Sequence, residues 1–228
     1  MTYEEIYNDI VENCWPGAGG NPPQNMPARI RTKVRSCHRM INRDFNFWFT
    51  LTSGTITTVA GQSVYDLPEL YKEMERAYFT ISGQTYGGPV LNQIDITDGL
   101  DRAYHTDDTQ VEYPSSFMVN GSQIILYPTP STTGYTLNLY YWTFLPVIDI
   151  DTQVNFEANA EDDIALYCGE AIVAWVTSKI KLMQNEWQES ELYLRDYNIF
   201  IEGAIQEDMH RRAIPHNRAP YTTEFYDD

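Results

Sequence analysis

The chain has 228 residues, enough to bury a substantial core as one domain or as a helical and a β subdomain. Its 32 acidic and 15 basic residues give a formal net charge of −17, which argues against sequence-independent DNA binding, a role that needs many cations to neutralise phosphates. Three cysteines without CxxC spacing argue against a disulfide framework or a structural zinc site, and no stretch approaches the roughly 20 apolar residues of a membrane span.

The N-terminus, MTYEEIYNDIVENC, is acidic where a secretion signal would be basic, so synthesis in a reducing cytoplasm is expected. Thr2 and Glu5 stand in capping-box register, and Ile6, Ile10 and Val11 share one side, which predicts a first helix over Thr2–Asn13. A Pro- and Gly-rich connector follows, Pro16–Pro23. From Pro27 to Trp48 the helical period returns through Ile30, Val34, Cys37, Ile41, Phe45 and Trp48.

Between Thr50 and about Asp151 strand patterns replace the helical ones. Thr55–Val59, Gln62–Leu67, Ala77–Ile81, Phe117–Val119, Ile124–Tyr127 and Tyr135–Phe144 are the expected strands. Ile124–Pro146 reads as a hairpin: two apolar and aromatic runs flank a turn containing Pro128, Pro130 and Gly134. Asn92–Pro114, with Asp95, Asp98, Asp101, Asp107 and Asp108, reads as a short helix near Ile94–Arg102 followed by a surface loop.

After the loop Asp149–Asn159, Asn159 is expected to cap a helix whose first turn holds Glu161, Asp162 and Asp163, at the end of the dipole that favours carboxylates. Its body, Ile164–Met183, is apolar on most faces, the pattern of a helix buried by several partners. A second long helix, about Glu186–Arg212, carries the stripe Trp187, Leu194, Tyr197, Ile201 and Ile205. Pro215–Asp228 has no period but keeps Tyr221, Phe225 and Tyr226, an aromatic tail that is expected to dock. The fold class is therefore α+β: a helical bundle from the N- and C-terminal helices with an inserted antiparallel β-sandwich or barrel. In domain terms, 1–50 and 157–212 form the bundle, 51–156 the β module, and 213–228 an extended tail.

Motifs for chemistry are lacking. His38, His105, His210 and His216 are scattered, Cys37 and His38 point about 100° apart on one helix, and no phosphate loop, dinucleotide turn or nucleophile elbow occurs. No catalytic residue, metal site or cofactor is assigned. One charge pattern exceeds background. Six of the 15 basic residues fall within Arg29–Arg43, and Arg31, Arg35, Arg39 and Arg43 recur every fourth position, a cationic ridge expected opposite the apolar stripe of its helix. It reads as a solvated face, as a docking face complementary to an acidic copy of the same chain, or, least favoured in so negative a field, as a face toward DNA in a lumen. The 17 Tyr and 5 Trp likewise suit either strands or large interfaces.

Four segments in this order resemble the head-to-tail adaptors of short-tailed phages, the tail tubular protein A-like group. They are Asn46-Phe47-Trp48-Phe49-Thr50-Leu51, Gly61-Gln62-Ser63-Val64-Tyr65-Asp66-Leu67-Pro68, Tyr113-Pro114-Ser115 before Ile124–Pro130, and the terminal helices ending near Tyr197. The resemblance implies a structural virion protein: a dodecameric ring beneath the portal that joins head to tail, continues the DNA channel and receives a nozzle or fibre protein. On that reading Arg31, Arg35, Arg39 and Arg43 face a neighbour or the portal, and Tyr221, Phe225 and Tyr226 dock the tail. Two other readings stand beside it: a carbohydrate-binding β module stacking on Tyr86, Tyr104 and Tyr113, and a metal-dependent hydrolase built on the aspartates.

Overall fold

The computed structural model describes residues 1–17, 22–80, 89–95, 97–98, 113–146 and 163–213. The chain divides into two compact units, one of Met1–Phe49 with Pro146–Asp228 and one of Thr50–Leu145.

The first unit is helical. α1 (Tyr3–Cys14) starts with the expected capping box: Thr2 N–H donates to Glu5 Oε2 at 2.8 Å and Glu5 N–H donates to Thr2 Oγ1 at 3.2 Å. Its apolar side, including Ile6, Ile10 and Val11, is buried. α2 (Met26–Asp44) buries Ile30, Val34, Cys37 and Ile41 as the period predicts. It ends at Asp44, short of the expected Trp48. Phe45 is already extended, Phe47 is buried outside the helix, and Trp48–Thr50 forms a 3₁₀ turn.

α3 (Asp163–Met183) packs against α1, α2 and α4, so its mostly apolar surface has partners on several sides, as the sequence predicts. It is kinked at Cys168, where φ is −120° and ψ 15°. Beside the kink, a Cβ on Gly169 would lie 2.8 Å from the sulfur of Met1, so the missing side chain is what lets the N-terminus lie against α3. The expected cap at Asn159 lies outside the described residues. α4 (Trp187–Ala213) follows a three-residue turn in which Asn185 takes the left-handed φ of 65°. The helix departs from its predicted stripe. Tyr197 and Ile201 are buried against α3, but Trp187 is 65% exposed and Leu194 is also exposed, because over 27 residues α4 has only α3 as a substantial partner among the described elements.

Among the described residues the second unit holds seven strands in two sheets. β1 (Leu51–Thr57), β7 (Thr136–Thr143) and β3 (Tyr71–Thr80) form one antiparallel sheet in the order β1-β7-β3. The other has the order β2-β6-β5-β4, from β2 (Val64–Asp66), β6 (Gln123–Tyr127), β5 (Ser116–Asn120) and β4 (Asn92–Gln93). Both supply one core, with Phe79, Leu137 and Leu139 from the first sheet and Phe117, Ile124 and Leu126 from the second. The sheets are open and do not close into a barrel, so the sandwich alternative is the one observed. β4 pairs parallel to β5, and was not expected as a strand. Of the predicted helix Ile94–Arg102 only Thr97 and Asp98 are described as helical; 96 and 99–102 lie outside the described residues.

The predicted hairpin is corrected. β6 and β7 do not pair; they lie in different sheets, and the eight residues 128–135 carry the chain between them. Both strands have an apolar face to bury, and facing sheets about 10 Å apart let both faces meet in one core, where a hairpin would put them in one sheet. The hairpin here is β5–β6. Asn120 pairs with Gln123 around Gly121, whose φ of 60° supplies the tight turn.

Candidate functional site

Steps of four residues advance 400° around a helix, so the arginine row on α2 drifts by about 40° per step. The row therefore does not stand opposite the buried stripe along its whole length. Arg31 and Arg35 are half-buried beside it, while Arg39 and Arg43 reach open solvent. Arg31 lies close enough to α1 to act on Tyr7, whose hydroxyl is pushed up by burial against the opposing pull of that guanidinium. Arg43 is bidentate to Asp44, with Nε 2.6 Å from Oδ1 and Nη2 3.0 Å from Oδ2. Tyr221, Phe225 and Tyr226 lie outside the described residues.

α4 carries two features the periodicity did not expose. Leu192 and Ile199 are 56% and 55% exposed, seven residues apart and hence on one face, roughly opposite buried Tyr197 and Ile201. At its far end the helix grips the segment after α2. Buried Asp208 accepts the Trp48 N–H at 2.5 Å and pairs with Arg212 at 2.5 Å, and Arg212 also donates to the Asn46 carbonyl. Arg211 lies over the rings of Trp48 and Tyr167, 5.7 and 5.0 Å from their centroids. The Asp208–Arg212 spacing of four was legible in the sequence; its partner 160 residues upstream was not.

At the other end, buried Lys181 reaches Glu186 and Glu189, each at 2.7 Å. Burial pulls its pKa down, but the hydrogen bonds and charges of the two carboxylates outweigh that and raise it.

Among the described residues no group of three or more His, Cys, Asp or Glu is placed to hold a metal ion, and Asp101, Asp107 and Asp108 lie outside them. Tyr113 is no stacking platform. Its ring packs on Phe79 and Tyr135, 6.0 and 4.6 Å between centroids, because the sandwich core claims it; Tyr86 and Tyr104 lie outside the described residues. His38 is buried within α2 and His210 is exposed on α4. No helix among the described residues is long and apolar enough to cross a membrane.

The family model described as SU10 adaptor protein matches residues 1–220. The chain belongs to the SU10 adaptor protein family. The resemblance to phage adaptors carried by residues 46–51, 61–68, 113–115 with 124–130, and the terminal helices ending near Tyr197 is thereby borne out, and the protein is a structural component of a virion. No curated protein matches it.

The adaptor has one further surface feature in its helical unit. An open groove of about 350 Å³ is lined by Ala28, Arg29, Thr32 and Lys33 of α2 and by Met183 at the end of α3. Among the described residues two cations and no carboxylate line it.

Proposed function

We propose that the adaptor assembles as a ring, dodecameric by family resemblance, beneath the portal protein. There it joins the capsid to the tail, continues the DNA channel and receives a nozzle or fibre protein on its outer side. The observation that carries this reading is the face of α4 bearing Leu192 and Ile199. Large aliphatic side chains left in water on the side of a long helix away from its own core suit a protein that packs against another subunit. Arg31, Arg35, Arg39 and Arg43 supply a cationic surface to a chain of net charge −17, the polarity that a head-to-tail contact between copies needs. The same acidity suits a channel through which DNA slides without sticking. On this reading Tyr221, Phe225 and Tyr226 dock the tail on an adjacent subunit.

The test is the mass of the full chain alone and with a portal ring, by native mass spectrometry or light scattering. A ring-sized species in either sample is expected. A chain that stays monomeric at high concentration and also ignores the portal ring overturns the reading.

A further inference from the structure

The groove between the start of α2 and the end of α3 sets two cations beside an apolar wall. Among the described residues Lys181, Arg43, Arg211 and Arg212 each hold a carboxylate. Arg29 and Lys33 have no ion-pair partner among the described residues, and both line the groove. Met183, 43% exposed, adds an apolar wall, and Leu182 next to it is exposed as well. A ligand that fits must bring negative charge and an apolar side chain within a few residues. The volume, near the lower end of the roughly 300–1,000 Å³ of ligand clefts, suits a short peptide segment.

The chain itself contains such a segment. Glu224-Phe225-Tyr226-Asp227-Asp228 sets three carboxylates around two aromatic rings and has no cation. Tyr3–Asp9 has a similar composition, but Tyr3 and Ile6 are already buried in α1. We infer that the Arg29/Lys33/Met183 groove receives the Glu224–Asp228 segment of a second copy of this chain. The carboxylates pair with Arg29 and Lys33, and an aromatic ring covers Met183.

The geometry favours a second copy over the same one. α3 and α4 run antiparallel, with Ser178 against Ser190 at one end and Tyr167 under Arg211 at the other. The groove therefore lies by the start of α4, and the tail leaves from the finish, 27 residues or about 40 Å away. The 13–15 steps from Ala213 to Tyr226–Asp228 span at most about 43–54 Å, so a chain's own segment reaches only when nearly fully extended along the whole helix. A neighbour's segment is under no such limit. A tail-to-groove contact is also heterologous, the kind that passes from copy to copy around a ring. The inference deepens the ring reading and rests on it for the partner's identity.

The test uses a fluorescent peptide of residues 214–228 with an amidated end, titrated into the full chain at low salt. Saturable binding is expected. It should weaken about tenfold or more with Arg29→Glu/Lys33→Glu in the protein, or with Asp227→Asn/Asp228→Asn in the peptide. The protein variant should keep α2, since neither Arg29 nor Lys33 belongs to the buried stripe of that helix, and circular dichroism checks this. In a mixture of ¹⁵N-labelled and unlabelled chains, carbodiimide should couple Lys33 to Asp227 or Asp228 across isotopes. Absent binding, binding unaffected by the groove variant, or coupling only within one isotope overturns the inference. If the peptide does not bind but the groove variant loses the portal ring, the groove belongs to the portal. A chain that ignores the portal ring yet binds the peptide refutes the ring and leaves the groove's ligand standing.

Discussion

The Lys181 ammonium lies 2.7 Å from the Glu186 carboxylate across the turn that joins α3 to α4. Glu189 closes on the same ammonium from the first turn of α4, so one buried cation fixes both the turn and the start of the next helix. The lysine side chain is 7% exposed, whereas both glutamates keep substantial contact with water. Removing the carboxylates strands a buried charge; removing the lysine strands nothing. Lys181→Met is therefore expected to be near neutral, and Glu186→Gln/Glu189→Gln to cost about 1–3 kcal/mol, below the cost of a fully buried pair because water screens the glutamates. Urea unfolding of the two variants orders them. A larger loss in Lys181→Met contradicts the argument.

Cys14 sits beside this cluster, and burial pushes its thiol from 9.0 up to about 11, against the opposing pull of Lys181. A raised thiol pKa means that between pH 9 and 11 the unfolded chain has lost the proton and the folded chain has kept it. Stability falls across that window, by about 2–3 kcal/mol for two pKa units, and the contribution is fully present below pH 9. Cys14→Ala should flatten the alkaline limb of the stability curve while lowering its plateau modestly. A limb of unchanged slope from pH 9 to 11 would assign the alkaline loss to other groups.

Two helical glycines should respond in opposite directions to the same change. At Gly203 on α4 a Cβ meets nothing within 4 Å, so Gly203→Ala is expected to stabilise by about 1 kcal/mol through helix propensity. At Gly169 the added Cβ would fall 2.8 Å from the Met1 sulfur and 2.9 Å from its Cβ, too close for either atom. Displacing Met1 and disturbing the kink at Cys168 should more than cancel the propensity gain, so Gly169→Ala is expected to lower the melting temperature. Thermal unfolding of both variants decides it; a rise in both would mean that Met1 moves aside without cost.

The elements whose burial has one period were readable in the sequence. α1, the buried stripe of α2 and the core of α3 each declare a side, and Thr2 with Glu5 marks the first cap within four residues. What failed to show was the pairing of segments distant in the chain. Ile124–Tyr127 and Tyr135–Phe144 look like hairpin arms because alternation tells which side of a strand is buried, not which strand lies next to it. The turn that does make a hairpin, Gly121-Ser122 after Asn120, was in plain view. The α4 stripe misled for a related reason. A period of 3.6 marks side chains that will be covered, and Trp187 and Leu194 satisfy it although the described residues of their own unit leave both exposed. Of the candidate site, the arginine row was legible as a row, but its drift around α2 follows from the step of four, and its half-buried start from packing beside α1. The groove was hidden because Met183 joins Arg29 and Lys33 only in space.

That drift changes which arginines test a docking role. Arg35 is half-buried, so reversing its charge disturbs the helical unit as well as any contact with a partner. Arg39 and Arg43 project into solvent, and the Asp44 carboxylate on Arg43 is its chain neighbour, which gives it a geometry without tying it to another element. Arg39→Glu/Arg43→Glu should leave the circular dichroism spectrum and melting temperature of the isolated chain unchanged. If the ridge is the face that meets an acidic surface of a neighbour, the same double variant should weaken assembly with a portal ring about tenfold or more. Low salt should sharpen the difference between variant and wild type, because screening over about 10 Å at 0.1 M blunts exposed charges. Sedimentation of the mixture at two salt concentrations measures both effects. Full assembly by the double variant at low salt would return the row to an ordinary solvated face.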